Sequence, residues 1–239
     1  LFLEGRGGTS VWPVMARFPS LAAYVVLFFD TPQFFTVFWN SCRQVFPIIL
    51  GHVLLGAPAA WAFAKFHFRG KKILYTLYIV LMLMPFQVTM VSSYLVLNKL
   101  GLIDTVWAVI LPGAASPLPV FIMTRFFMDI PEAVMEAAAV DGASSFQTFL
   151  RFGLPLGAPG ILSAVVLGFL EYWNAIEAPQ AFLKNQALWP LSLYMSNITA
   201  DNAGVSLIAS LITLMPPLLI FLSGQKYLEQ GIISSGMKD

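Results

Sequence analysis

The chain has 239 residues, 58% of them hydrophobic and 10% charged, with a mean hydropathy of +0.79 and a formal net charge of +1. A soluble domain carries roughly a quarter charged residues, so a bilayer is the expected solvent, and the near-zero charge excludes the basic field that nucleic-acid binding needs. A single cysteine, Cys42, and two histidines, His52 and His67, exclude an intramolecular disulfide, a cysteine zinc site and a histidine cluster, so no metal site is expected.

The apolar run 21–29 is too short to cross a hydrocarbon core, which takes about 20 residues, and Asp30-Thr31-Pro32 ends it. It reads as a helix outside the core or at the interface, and with no basic segment before it no signal peptide is expected there. Five later stretches are long enough to span: 44–64, 73–97, 105–127, 154–173 and 203–223. The expected organisation is an extracytoplasmic N-terminal segment over 1–43, a transmembrane domain over 44–223 that includes a cytoplasmic loop at 128–153, and a cytoplasmic tail over 224–239. Lys65, Arg69, Lys71 and Lys72 in the first connection, Arg125 and Arg151 around the loop, and Lys226 and Lys238 in the tail set this orientation, because Lys and Arg near span ends favour the cytoplasmic side. The opposite side holds only Arg6, Arg17, Arg43, Lys99 and Lys184.

Proline punctuates the spans at Pro47, Pro58, Pro85, Pro112, Pro117, Pro119, Pro159 and Pro216-Pro217. Each removes an amide donor and frees a carbonyl that neighbours must satisfy, so bent helices lining a pathway are expected. Gly51, Gly56 and Ala60 permit close helix approach in the first span. Ion-coupled carriers place ionisable groups at mid-membrane. Here only His52 lies well inside a span, with no carboxylate beside it, and Glu171 sits at the outer end of the fourth. His52 reads as a packing or hydrogen-bonding residue, and the energy for any transport has to come from another subunit.

The polar stretch 129–155 interrupts these runs. Asp129 is the expected N-cap of a short helix, with Pro131 in its first turn, Glu132 at capping-box spacing, and Gly142 ending it in the left-handed conformation. Ser144 or Ser145 caps a second helix through Arg151, and Leu154-Pro155 opens the next span. Alanines 133, 137 and 138 leave a low-relief face that suits a partner's groove, with Glu132 and Glu136 one turn apart beside it.

Within that stretch, Glu136-Ala137-Ala138, Gly142, Phe152 and Leu154-Pro155 resemble the EAA motif of binding-protein-dependent ABC importer permeases, with Phe152 standing where the family usually has Ile. Phe38-Trp39-Asn40-Ser41, the run Leu100-Gly101-Leu102-Ile103-Asp104-Thr105, and Glu171-Tyr172-Trp173-Asn174 resemble the maltose-type carbohydrate branch, so the likeness covers about 19–238. The resemblance implies an all-α polytopic bundle of six spans, five of them visible, with the first expected upstream of Leu1. It implies a multi-pass protein of the bacterial inner membrane that works by alternating access. Its partners would be a cytoplasmic ATPase dimer, a second permease forming a heterodimer, an extracytoplasmic solute-binding protein delivering a sugar or sugar-like solute, and membrane lipid.

The coupling positions carried over are Glu132, Glu136, Ala137, Ala138, Asp141, Gly142, Leu154 and Pro155. The chain has no Gly-rich phosphate loop, so it is not expected to be an enzyme or to bind a cofactor; ATP and Mg would be used by the partner ATPase. Candidate pathway residues are Gln87, Thr89, Ser92, Tyr94, Trp173 and Asn174, where aromatic faces and amides suit a sugar, while Trp173 and Tyr172 equally suit an interfacial aromatic belt. The segment 225–239 is similar to the family's C-terminus. The alternatives are an autonomous secondary carrier or channel, disfavoured by the lack of buried charge, and an intramembrane enzyme, disfavoured by the absence of a carboxylate pair, HExxH or GxSxG.

Overall fold

A computed structural model describes residues 33–196 and 203–236, and their side chains over 33–196 and 208–229. The run at 21–29 and the last three residues of the tail lie outside this range. Among the described residues every regular element is helical. In chain order these are α1 (Gln33–Gly51), a π turn (His52–Gly56), α2 (Ala57–Lys65), α3 (Lys71–Leu83), α4 (Phe86–Lys99), α5 (Trp107–Ala114), α6 (Pro117–Met128) and α7 (Glu132–Val140). There follow α8 (Ser145–Thr148), a π turn (Phe149–Gly153), α9 (Leu154–Leu156), α10 (Ala158–Trp173), α11 (Glu177–Phe182), a 3-10 turn (Gln186–Leu188), α12 (Leu191–Ser196) and α13 (Ala203–Gly236).

Three helical runs are long and apolar enough to cross a bilayer: Gln33–Lys65, Trp107–Met128 and Ile208–Glu229. Two further candidates are bent pairs, Lys71–Leu83 with Phe86–Lys99 at 107° and Ser145–Leu156 with Ala158–Trp173 at 69°, so all five expected stretches are helical but not all are straight. The second span expected at 73–97, with Pro85 punctuating it, consists of two half-length helices. The cause is local: a residue before proline avoids the α region, Met84 accordingly adopts φ −75°, ψ 125°, and Pro85 follows at ψ 147°. At about 1.5 Å per residue, neither half alone covers a hydrocarbon core of about 30 Å. The expected boundaries at 43/44 and 223/224 both fall inside helices, since α1 begins at Gln33 and α13 runs to Gly236.

α10 packs against α13 and α6, α2 against α6, and α1 against α5. Towards the Gln33 end the core holds Phe34, Val37, Val45, Phe169, Trp173, Leu191 and Ile208; towards the Lys65 end it holds Ala57, Trp61, Phe63, Met123, Phe127 and Phe149. The outside is equally apolar, with Leu50, Leu54, Leu77, Leu81, Val91 and Leu219 among its exposed side chains. A soluble monomer does not present apolar surface on this scale, and the placement explains how 58% hydrophobic content fits so small a core.

Candidate functional site: an exposed helical hairpin and the opposite rim

At the Lys65 end, α7 and α8 form a helix–turn–helix. The helix starts two residues later than expected: Asp129 closes α6 as its C-cap, and Pro131 is the N-cap of α7. Proline supplies the starting geometry without a donor of its own, and Glu132 in the first turn complements the helix dipole. The other end matches expectation closely. Gly142 adopts φ 77°, Ala143 N donates to Ala138 O at 2.9 Å and Gly142 N to Ala139 O at 3.0 Å, the paired bonds of a Schellman motif. α8 then starts in a full capping box, with Gln147 N donating to Ser144 Oγ at 3.3 Å and Ser144 N donating to Gln147 Oε1 at 2.9 Å.

α7 has two faces. Val134, Met135 and Ala138 turn inward, whereas Glu132, Glu136, Ala137, Val140 and Asp141 are exposed. Ala138, expected on the outward low-relief face with Ala133 and Ala137, is therefore a bundle contact at 3% exposure. Its i+4 relation to Val134 puts it on the inner stripe. A Cβ built on Gly142 would meet no atom within 4 Å, so the turn stands in open space and a side chain there is opposed by backbone strain alone.

Leu154 and Pro155 sit in the elbow between this hairpin and α10, not at the start of a straight span, because the helix axis turns by 69° at the break before Ala158. Aromatic rings key the elbow to the bundle. Trp61 lies edge-on to Phe127 at 5.3 Å and near Phe149 at 5.6 Å, and a Cβ on Gly153 would come within 2.8 Å of its ring. A Cβ on Gly157 would come within 2.1 Å of Phe127. Lys65 Nζ donates to Ile130 O, tying the end of α2 to the approach of α7. None of Lys65, Trp61, Phe127 and Phe149 was singled out from the sequence as part of this joint; the four-residue spacing of Gly153 and Gly157, a small-xxx-small pattern, is the available signal.

At the Gln33 end the motif residues hold a loop. Asn40 Nδ2 donates to Ala187 O (2.7 Å) and Trp189 O (3.1 Å), Gln44 Nε2 to Leu188 O (2.9 Å), and Ser41 Oγ accepts from Leu191 N (2.8 Å). Asp104, itself at φ 63°, accepts from Lys184 N (2.9 Å) and Asn185 N (2.8 Å).

The expected pathway residues are not brought together. Gln87 lines a shallow cleft of about 230 Å³ with Phe86, Met90, Glu177, Gln180 and Ala181, and its Nε2 donates to Glu177 Oε1 at 2.7 Å. Tyr94 packs beside Leu97 and Phe182, Ser92 is exposed, and Thr89 Oγ1 donates back to Phe86 O. Asn174 is exposed at the end of α10, donating to Leu170 O. Trp173 departs furthest from expectation. It is 2% exposed, stacked on Phe169 at 5.4 Å, met edge-on by Phe38 at 5.8 Å, and donates to Thr213 O. A ring enclosed by these neighbours packs the bundle and lines no open path.

Apolar, proline-broken helices carrying an exposed polar hairpin at one end define a multi-pass membrane protein of the permease class. The chain belongs to the family of binding-protein-dependent transport system inner membrane components, whose family model matches residues 52–234. It is 26% identical over 222 residues to the arabinooligosaccharides transport system permease protein AraQ of Halalkalibacterium halodurans, covering 92% of this chain and 80% of that one. It is 30% identical over 239 residues to protein LplC of Bacillus subtilis (92% and 79% covered), and 30% identical over 206 residues to the diacetylchitobiose uptake system permease protein NgcG of Streptomyces coelicolor (83% and 68% covered). A crystal structure of a bacterial ABC transporter that imports the acidic polysaccharide alginate matches with a TM-score of 0.78 over 93% of this chain and 83% of that one; at 21% identity, the likeness is one of fold.

Proposed function

We propose that this chain is the permease subunit through which a sugar or sugar-like solute, handed over by an extracytoplasmic binding protein, enters a bacterial cell by alternating access. The carrying observation is the α7 hairpin: a helix closed by a Schellman turn, with Glu132 and Glu136 exposed on the face opposite its bundle contacts. In this reading that face seats in a groove of a cytoplasmic ABC ATPase. Glu136, Ala137, Asp141 and Gly142 make the contact, Ala138 supports it from behind, and Leu154 and Pro155 shape the elbow that passes its motion to α10. ATP and Mg belong to the ATPase, and this chain contributes no catalytic group. The names of the relatives AraQ and NgcG, which refer to arabinooligosaccharides and diacetylchitobiose, support the carbohydrate class.

A second permease completes the pathway, and a heterodimer is the arrangement this reading favours. Gln87, Thr89, Ser92, Tyr94 and Asn174 remain this chain's contribution to a solute path, with Gln87 and Glu177 supplying the amide and carboxylate that sugar hydroxyls pair with.

The test is a pull-down of the tagged full-length protein in mild detergent, with intact-complex mass and ATPase rate read on one sample. A complex with a second permease and two ATPase copies is expected. In Gly142→Asp, which adds backbone strain and a charge at the turn, the ATPases are expected to dissociate and uptake to fall while insertion is retained. A stable isolated permease that moves solute without ATP overturns the proposal.

A further inference from the structure

Two ring N–H groups inside the bundle end on carbonyls of the same kind. In a continuous α-helix the C=O of residue i accepts the N–H of residue i+4; for Gly113 and Thr213 that residue is Pro117 and Pro217, which have no N–H to give. Trp173 Nε1 donates to Thr213 O at 3.1 Å. His52 Nε2 lies 2.9 Å from Gly113 O, and because a carbonyl only accepts, this nitrogen carries the proton. Gly113 O also takes the Ser116 amide at 3.1 Å, and the ring supplies the second donor on its other lone pair.

In both cases the donor comes from a different helix. Trp173 ends α10 and reaches α13, while His52 opens the π turn after α1 and reaches the α5–α6 break. Both rings are enclosed, at 2% and 1% exposure, so water does not substitute for them. π turns inside α-helices recur at functional sites, and Gly168 on α10 leaves room for the imidazole, since a Cβ there would lie 2.8 Å from His52 Nδ1.

We propose that Trp173 and His52 are positioning residues of the transport cycle, each tying a proline site in one span to a neighbouring helix through the carbonyl that the proline leaves without its helical donor. A change of bend at Pro217 or Pro117 then requires release of a hydrogen bond held by another span, and helix bending is tied to helix separation. The proposal rests on the importer reading of the chain.

The test uses the assembled transporter in lipid, reading solute imported per ATP hydrolysed, intact-complex mass, and hydrogen exchange of the α13 amides near Pro217. Trp173→Phe keeps the ring and removes the N–H; Pro217→Ala gives Thr213 O a helical donor. Trp173→Phe is expected to lower import per ATP about tenfold and to speed exchange near Pro217 by a similar factor, the scale of one buried hydrogen bond. In the Pro217→Ala background the same change is expected to alter both readouts less than about twofold. His52→Gln, which retains an amide donor, is expected to stay near wild type, and His52→Met to fall. Unchanged exchange in Trp173→Phe, or a double variant showing the full product of the single effects, overturns the clamp. A wild-type complex that hydrolyses ATP without importing solute overturns the importer reading instead, and the exchange measurement still decides the clamp.

Discussion

Gly157→Ala tests the elbow most directly. Its backbone, at φ −85° and ψ 0°, is open to alanine, so the penalty is steric alone. The added Cβ would sit 2.1 Å from Phe127 Cε1, 2.6 Å from Cδ1 and 2.9 Å from Gly153 O. Carbon pairs settle at about 3.5–4.0 Å, so the ring must retreat by roughly 1.5 Å, yet Phe127 is fully buried, edge-on to Trp61 at 5.3 Å and to Phe149 at 6.4 Å. Overpacking of this kind costs about 1–3 kcal/mol; with a backbone oxygen among the contacts the upper end applies, about a 150-fold change in an equilibrium. The assay is the thermal midpoint of the complex in detergent, followed by tryptophan fluorescence, for Gly157→Ala, Phe127→Leu and the double variant. The single glycine variant is expected to unfold earlier. The double should be more stable than the sum of the two losses, with incomplete recovery because the contact to Gly153 O persists. A wild-type midpoint for Gly157→Ala, or strict additivity in the double, refutes the steric account.

Gly142→Ala should lower the helicity of an isolated 129–155 peptide and weaken ATPase association severalfold, reflecting about 1–2 kcal/mol of left-handed strain without a clash; association equal to wild type in a pull-down contradicts this. Ser144→Ala removes the capping box and should cost about 1 kcal/mol at the hairpin, read as faster amide exchange over α8, with unchanged exchange counting against the cap. Asn40→Leu removes the amide that donates to Ala187 O and Trp189 O and should expose the 183–191 loop to protease severalfold faster, on about 0.5–1.5 kcal/mol for each part-buried hydrogen bond; equal cleavage rates would show that the loop is held by other contacts.

The helical class, the positions of the five stretches and the two-helix form of the hairpin were legible because long apolar runs, Gly142 and Ser144 act locally. What escaped the sequence is decided by contacts far apart in the chain. The Met84-Pro85 break marks a bend, but its 107° is set by what α4 packs on, including α11 more than 70 residues later. Ala138 and Ala137 are the same residue type side by side, and only the direction of the bundle separates an inward from an outward role. Trp173 read as a sugar platform or an interfacial ring because an aromatic at a span end suits either; Phe169, Phe38 and the carbonyl of Thr213 enclose it in the core instead. Asp129 falls at the C-cap of α6 and not at the N-cap of α7 because the helix before it runs on to Met128.

The loop at 183–191 is sewn down by Asn40, Ser41 and Gln44 to α1 and by Asp104 to the turn before α5, both distant in sequence. A loop already held in this way surrenders little conformational freedom when something closes over it, so an approaching molecule meets a finished surface, not one it must first organise. Its capture is then governed by how well the two shapes fit and how fast they meet, and the residues that set that speed lie one layer beneath the surface that is touched.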